Sequence, residues 1–110
     1  MTPLTYLAAP YSHESLAVRY QRFAKINEAA AKLMRDGVMV FSPISHTHPI
    51  AIAGDLPTDF DYWAIYDRAM IERCQKLIVL KLDGWQHSRG VAAEIEIARE
   101  LGIPVEYLEV

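Results

Sequence analysis

The chain has 110 residues and a mass of 12.5 kDa, enough for one hydrophobic core and too little for two. Hydrophobic residues make up 52% and charged residues 23%, which excludes an intrinsically disordered chain. The formal net charge is −3, so a broad duplex-binding surface is not expected, although a local basic pocket for one phosphate is compatible with it.

Leu4 to Ala8 is a short apolar run closed by Ala9-Pro10, and it reads as a buried strand. From about Glu14 to Asp36 the apolar spacing is helical, with Gly37 as its stop. Val38 to Phe41 reads as a second strand, closed by Ser42-Pro43. Ser45 to Thr58, with Pro49, Gly54 and Pro57, reads as loop. Asp59 to about Arg73 is helical, capped by Thr58 or Asp59. Leu77 to Leu82 is a third strand and Asp83 to His87 a loop. Ser88 caps a helix that runs to about Leu101 and stops at Gly102 and Pro104; Val105 to Leu108 is a last strand.

This βαβαβαβ order predicts an α/β domain over residues 1–110: an open, parallel, four-stranded sheet, flavodoxin-like or Rossmann-like, with helices on both faces. A ferredoxin-like sandwich is disfavoured because hairpin turn signals are missing. Cys74 is the single cysteine, which rules out an intrachain disulfide and a multi-cysteine zinc site; its place on a helix arc marks it as core. Met1 to Thr5 carry no basic n-region, and no apolar run approaches membrane-spanning length. A cytoplasmic protein with no membrane and no nucleic-acid polymer as partner is expected.

In such a sheet the ligand crevice lies at the carboxyl ends of the strands. Three strand-end segments are rich in polar groups: Pro10 to His13, Ser42 to His48, and Asp83 to Gly90. They hold all four histidines. Two carboxylates sharpen the signal. At about 100° per residue, Glu94 falls inside the apolar arc Val91, Ile95, Ala98 and Leu101, whereas Glu96 and Glu100 fall opposite. Asp67 likewise falls inside the arc Trp63, Tyr66, Met70 and Cys74, with Asp61 and Glu72 outside. A carboxylate facing the sheet must be paired, hydrogen-bonded or given a task, because burying it bare costs several kcal/mol. For one such residue a structural salt bridge is the favoured explanation. For two, on helices flanking the same strand, a functional explanation weighs equally.

Ser88-Arg89-Gly90 opens the last helix, where free N–H groups can hold an anion; taken alone, Ser88 reads as a plain N-cap. Arg19 projects near Leu16, Tyr20 and Phe23 beside the first strand end. It is a candidate anion ligand, although an arginine so placed more often snorkels to solvent. His46 and His48 would stand on one side of an extended segment, but no third ligand is spaced from them, so hydrogen bonding in a loop is favoured over metal binding. No metal and no cofactor is expected.

The chain resembles the nucleoside 2-deoxyribosyltransferase superfamily, which includes the deoxyribonucleoside 5′-monophosphate N-glycosidases, and the likeness is nearest to a bacterial subfamily of that group. Tyr6-Leu7-Ala8-Ala9-Pro10-Tyr11-Ser12 resembles the family's opening strand and loop. Asp67 to Leu80 resembles the helix carrying a family aspartate. Ser88-Arg89-Gly90-Val91-Ala92-Ala93-Glu94 resembles the Ser-x-Gly-x-x-x-Glu element with the family nucleophile. The resemblance implies Glu94 as nucleophile and Asp67 as partner acid, with Tyr6, Ser12, Ser88 and Gly90 lining a sugar or phosphate pocket. It also implies a homodimer or larger homo-oligomer, with Phe60 to Trp63 as a contact. The segments His46-Thr47-His48 and Gly84 to His87 depart from the family pattern, and both bear on the substrate.

The residue set suits cleavage or transfer of the N-glycosidic bond of a 2′-deoxynucleoside or its 5′-monophosphate. One carboxylate stabilises the oxocarbenium-like state and traps C1′, while the second assists the leaving base. A non-catalytic nucleotide sensor of the same fold is the alternative, and a metal-dependent hydrolase built on His46 and His48 is a weaker one. The sequence does not choose between bases, between nucleoside and nucleotide, or between hydrolysis and transfer.

Overall fold

Two uninterrupted apolar segments, each followed by polar residues, become the central strands of the structure. A computed structural model of the chain describes residues 2–110. It contains one sheet in the order β2-β1-β3-β4, from β1 (Thr5–Ala8), β2 (Val40–Phe41), β3 (Lys76–Leu80) and β4 (Val105–Leu108). All three pairings are parallel, and Tyr6 lies opposite Phe41 on one side and Leu77 on the other.

Side chains alternate across this sheet, as the period of two requires. Tyr6, Ala8, Leu77 and Val79 point to one face, packing with Ile71 of α3 (Phe60–Ile71) and with Val91, Ile97 and Ala98 of α4 (Arg89–Glu100). Leu7, Ala9, Ile78 and Leu80 point to the other, against Ile26, Ala29 and Ala30 of α1 (Leu16–Arg35). The predicted α/β class, parallel sheet and two-sided helix cover are therefore all present. The strand order places the topological switch point between β1 and β3, where a crevice opens at the strand ends.

Local signals set the helix ends. The Ser15 hydroxyl accepts the Val18 N–H at 3.4 Å to start α1, and Gly37, at φ +87°, turns the chain after it. Ser88 caps α4 by accepting the Val91 N–H at 3.2 Å. Asp59 occupies the cap of α3 without a side-chain bond.

Three sequence expectations need correction. Pro43–Gly54, read as loop beyond Ser45, forms a helix, α2. Pro43 at its start needs no N–H partner, which suits proline there, and Asp55 ends it in the left-handed region at φ 53°. Pro49 inside it removes one backbone bond, and the helix tolerates the loss over 12 residues. Second, β2 holds only two residues instead of four, and a 3-10 turn at Trp85–His87 interrupts the loop after β3. Third, the buried face of α4 is rotated towards Ile97, and Leu101, assigned to the apolar arc, is exposed. Among the described residues no helix is long and apolar enough to cross a membrane.

Leu77 is fully buried in a central strand. Leu77→Ala is expected to lower unfolding free energy by about 2–5 kcal/mol, measured by chemical denaturation.

Candidate active site

The strand-end loops of β1 and β3 and the helices that follow β2 and β3 enclose a cavity of about 410 Å³. That volume lies in the range of small-molecule sites. Ala9, Tyr11 and Ser12 come from the first loop, Gly84, His87 and Ser88 from the second, and Gly90 from the first turn of α4. Helix α2 supplies Pro43, Ile44, Thr47 and His48, and α3 supplies Phe60, Trp63 and Asp67. Glu94 of α4 completes the wall.

The sheet-facing acids meet here. Glu94 is 6% exposed, and the Tyr6 hydroxyl donates to its Oε2 at 2.5 Å. Tyr6 stands on β1 behind the wall and is fully buried. Its own ionisation is pushed far up, by burial first and then by Glu94 and Asp67, so it stays a donor. Burial is the main force raising Glu94 to about 8, Asp67 adds to it, and the Tyr6 hydrogen bond opposes it. Asp67 is raised to about 6 by burial, and the Tyr6 hydroxyl works against the rise. Between these two values Glu94 keeps its proton while Asp67 is ionised. No lysine or arginine lies within ion-pair distance of either acid among the described residues. The salt-bridge explanation for their burial therefore fails.

Of the other sequence-derived candidates, Ser12, Ser88 and Gly90 line the cavity. The Ser12 hydroxyl donates to the Thr58 carbonyl at 2.9 Å, tying the first loop to the approach of α3. A Cβ on Gly90 would sit 3.6 Å from the Phe60 ring, an ordinary contact, so the packing of α3 on α4 does not itself require glycine here. Arg19 does not line the cavity. Its Nη1 donates to the His13 carbonyl beside the first loop. Arg22, one helical turn further along α1, reaches the cavity instead. Its Nη1 donates to the Ser12 carbonyl at 3.1 Å and its Nη2 to the Asp83 carbonyl at 3.4 Å. Position 22 shares a face with position 19, and only the docking angle of α1 decides which arginine enters.

A second feature was hidden by the missed helix. Two residues apart on α2, His46 and His48 point about 200° away from each other rather than to one side. His46 is exposed beside Tyr66, whereas His48 is 3% exposed and lines the cavity. Phe23 stacks on the His48 ring with centroids 4.1 Å apart, and Tyr11 and Tyr20 meet it edge-on. The Tyr11 hydroxyl bonds to Nδ1, and Nε2 has no partner among the described residues. Burial, with a smaller push from Arg19, lowers the His48 pKa and keeps the ring neutral. Among the described residues no three histidine, cysteine or acidic side chains converge as metal ligands would. Phe60 and Trp63 turn inward to the cavity, and the neighbouring Asp61 binds Arg89 at 2.7 Å across its mouth.

The raised acids bear on stability. Each folded-state value lies above its reference, 4.5 for Glu94 and 3.8 for Asp67, so the fold holds these protons more tightly than the unfolded chain. That contribution is complete below the reference values and is lost as pH rises through about 6 and about 8. Glu94→Gln, which keeps a carbonyl for Tyr6, is expected to be more stable than wild type above pH 8 by more than about 2 kcal/mol. The difference should close below about pH 4.5, as thermal unfolding across pH will show.

A comparison with curated proteins returned no match. The family model described as "Domain of unknown function (DUF1937)" matches residues 3–110, which include every residue of the cavity wall. The chain belongs to the DUF1937 family.

Proposed function

We propose that this protein cleaves or transfers the N-glycosidic bond of a 2′-deoxynucleoside or its 5′-monophosphate, with Glu94 as nucleophile. One observation carries the reading: two carboxyl groups with no cation in ion-pair distance among the described residues, one of them bonded to a buried tyrosine, stand at the wall of a small-molecule cavity. Binding alone has no need of such a pair, because it destabilises the fold without adding a contact that an amide would not make.

The chemistry follows from the proton. The Glu94 carboxylate attacks C1′ as the C1′–N bond breaks, and an ester forms between them. The electron pair of the broken bond leaves with the base, which takes the proton of Asp67. Water, or a second base, then attacks C1′, the ester bond breaks, and the proton of the attacking group returns to Asp67. The productive form of the free protein has Glu94 ionised and Asp67 protonated. The Tyr6 hydroxyl donates to Glu94 and so favours its ionised form. The apolar and aromatic side of the cavity, Ile44, Phe60 and Trp63, offers flat surfaces for a base. Tyr62 and Ile65, exposed on the outer side of α3, offer an apolar surface for the homo-oligomer that the resemblance implies.

The test is incubation with a panel of deoxynucleosides and their 5′-monophosphates, with free base read by chromatography. Wild type is expected to release base and Glu94→Gln to fall below detection. Asp67→Asn should lose about 10²–10⁴-fold. Release by Glu94→Gln at a rate near wild type would remove Glu94 from the mechanism.

The profile of kcat/KM against pH should be a bell with limbs near 6 and 8, the values of the pair. In Asp67→Asn the alkaline limb should vanish, leaving one acid limb below 8, because the neighbouring charge that raises Glu94 is gone. An unchanged bell in that variant would assign the limbs to other groups.

A further inference from the structure

Two polar side chains interrupt the apolar inner face of α2. Ile44, Thr47, His48 and Ala51 are spaced at three and four residues, so they share one side of the helix, and all of them line the cavity. The Thr47 hydroxyl can donate or accept, so it does not select one kind of ligand atom. His48 is different. Its ring is buried, and its Nε2 is a buried polar atom without a partner among the described residues. Leaving such an atom unpaired is costly, and a phenylalanine would fill the same seat against Phe23 without that cost. Stacking alone therefore does not account for a histidine at this place.

The neighbours of His48 decide which nitrogen carries the hydrogen. Burial, helped by the Arg19 charge, keeps the ring neutral, so only one nitrogen is protonated. Burial also keeps the Tyr11 phenol protonated, while Arg19 pulls the other way. A phenol beside a cation is a stronger donor and a poorer acceptor, so the Tyr11 hydroxyl donates to Nδ1. The hydrogen of the ring then sits on Nε2. Phe23, Tyr11 and Tyr20 hold that donor in one orientation, and only an acceptor satisfies it.

Resting on the glycosidic reading above, we infer that His48 is the specificity-determining residue of the base pocket: its Nε2–H donates to a carbonyl oxygen on the base edge away from the sugar. A base with an oxo group there, at C6 of a purine or C4 of a pyrimidine, is preferred over the amino base of the same shape, whose N–H groups would face a donor. Glu94 on α4 and Asp67 on α3 engage the sugar and the glycosidic bond, so the edge that meets α2 is the remote one. Nε2 lies under neighbouring side chains, and a base reaches it by shifting them, as is common on binding. A site built around a buried donor rejects the analogue that cannot accept from it, because the donor is then left unpaired.

The experiment compares 2′-deoxyinosine with 2′-deoxyadenosine, and 2′-deoxyuridine with 2′-deoxycytidine, each as nucleoside and as 5′-monophosphate. Base release gives kcat/KM in wild type, and calorimetry on Glu94→Gln gives affinity with the ligand intact. In at least one pair the oxo member is expected to lead by about tenfold or more in both measurements. His48→Phe keeps the stack on Phe23 without the donor, and should bring the ratio within about twofold of unity. Tyr11→Phe frees the tautomer and should leave the ratio between these two values. His46→Gln, on the exposed side of α2, should leave it as in wild type. Nitrogen NMR of histidine-labelled Glu94→Gln supplies a reading that needs no variant of His48. Its ring should show Nε2 protonated and Nδ1 bare, and the Nε2 signal should move with the oxo ligand and not with its amino counterpart.

Absence of a preference in both pairs would overturn the proposal, as would a preference that folded His48→Phe retains. If circular dichroism shows that His48→Phe does not fold, the NMR decides: a hydrogen on Nδ1, or an Nε2 signal unmoved by the oxo ligand, overturns it. The donor and the reaction fail separately. An oxo preference in binding with no base released by wild type keeps the donor and overturns the glycosidic reading. Base release at equal kcat/KM within both pairs keeps the reaction and overturns the donor.

Discussion

A carboxyl group held out of water beside a second one is the constraint around which this molecule is arranged. Glu94 on α4, Asp67 on α3 and Tyr6 on β1 come from three elements, and only a parallel sheet with both helices on one face brings them together. The apolar residues that surround them, Val91, Ile71 and Leu77 among others, raise both acids by excluding water. The same packing that stabilises the fold therefore sets the protonation of the pair. Among the described residues neither acid has a cation in ion-pair distance, and the Tyr6 hydroxyl is the donor that faces Glu94.

The rest of the cavity divides by polarity. The two acids occupy the helix side, Arg22 lies between the strand-end loops, and α2 closes the wall with apolar groups and a neutral His48. The proposed chemistry uses this division: a nucleophile where charge is suppressed until needed, and flat surfaces for the leaving base. His48 is clamped by Phe23, Tyr11 and Tyr20, which gives α2 a fixed seat on α1.

How much of this was legible follows the reach of each signal. Strands β1 and β3, short uninterrupted apolar runs followed by polar residues, were placed to within two residues, and so was the Ser88 cap of α4. The two sheet-facing acids, Glu94 buried and Asp67 half-buried, were visible as misfits on helical arcs, because periodicity reports which face a side chain takes. Helix α2 was not legible. Pro43, Pro49 and Gly54 are breakers by local rule, and what keeps the segment helical is its packing over the strand ends. With α2 missed, the Tyr11–His48 bond and the opposed faces of His46 and His48 were out of reach. The exchange of Arg19 for Arg22 has a different cause. A helix turns through about 300° in three residues, so both arginines share a face and the docking angle of α1 decides between them.

The central claim is that Glu94 forms a covalent bond to the sugar. Rapid acid quench of wild type turning over a deoxynucleotide, followed by peptide mass analysis, tests it most directly. The account predicts a peptide containing Glu94 heavier by one 5-phospho-2-deoxyribosyl group, at an abundance that rises in Asp67→Asn if ester breakdown slows more than its formation. An adduct on the peptide containing Asp67, or base release with no adduct and an inverted anomeric product, would contradict it.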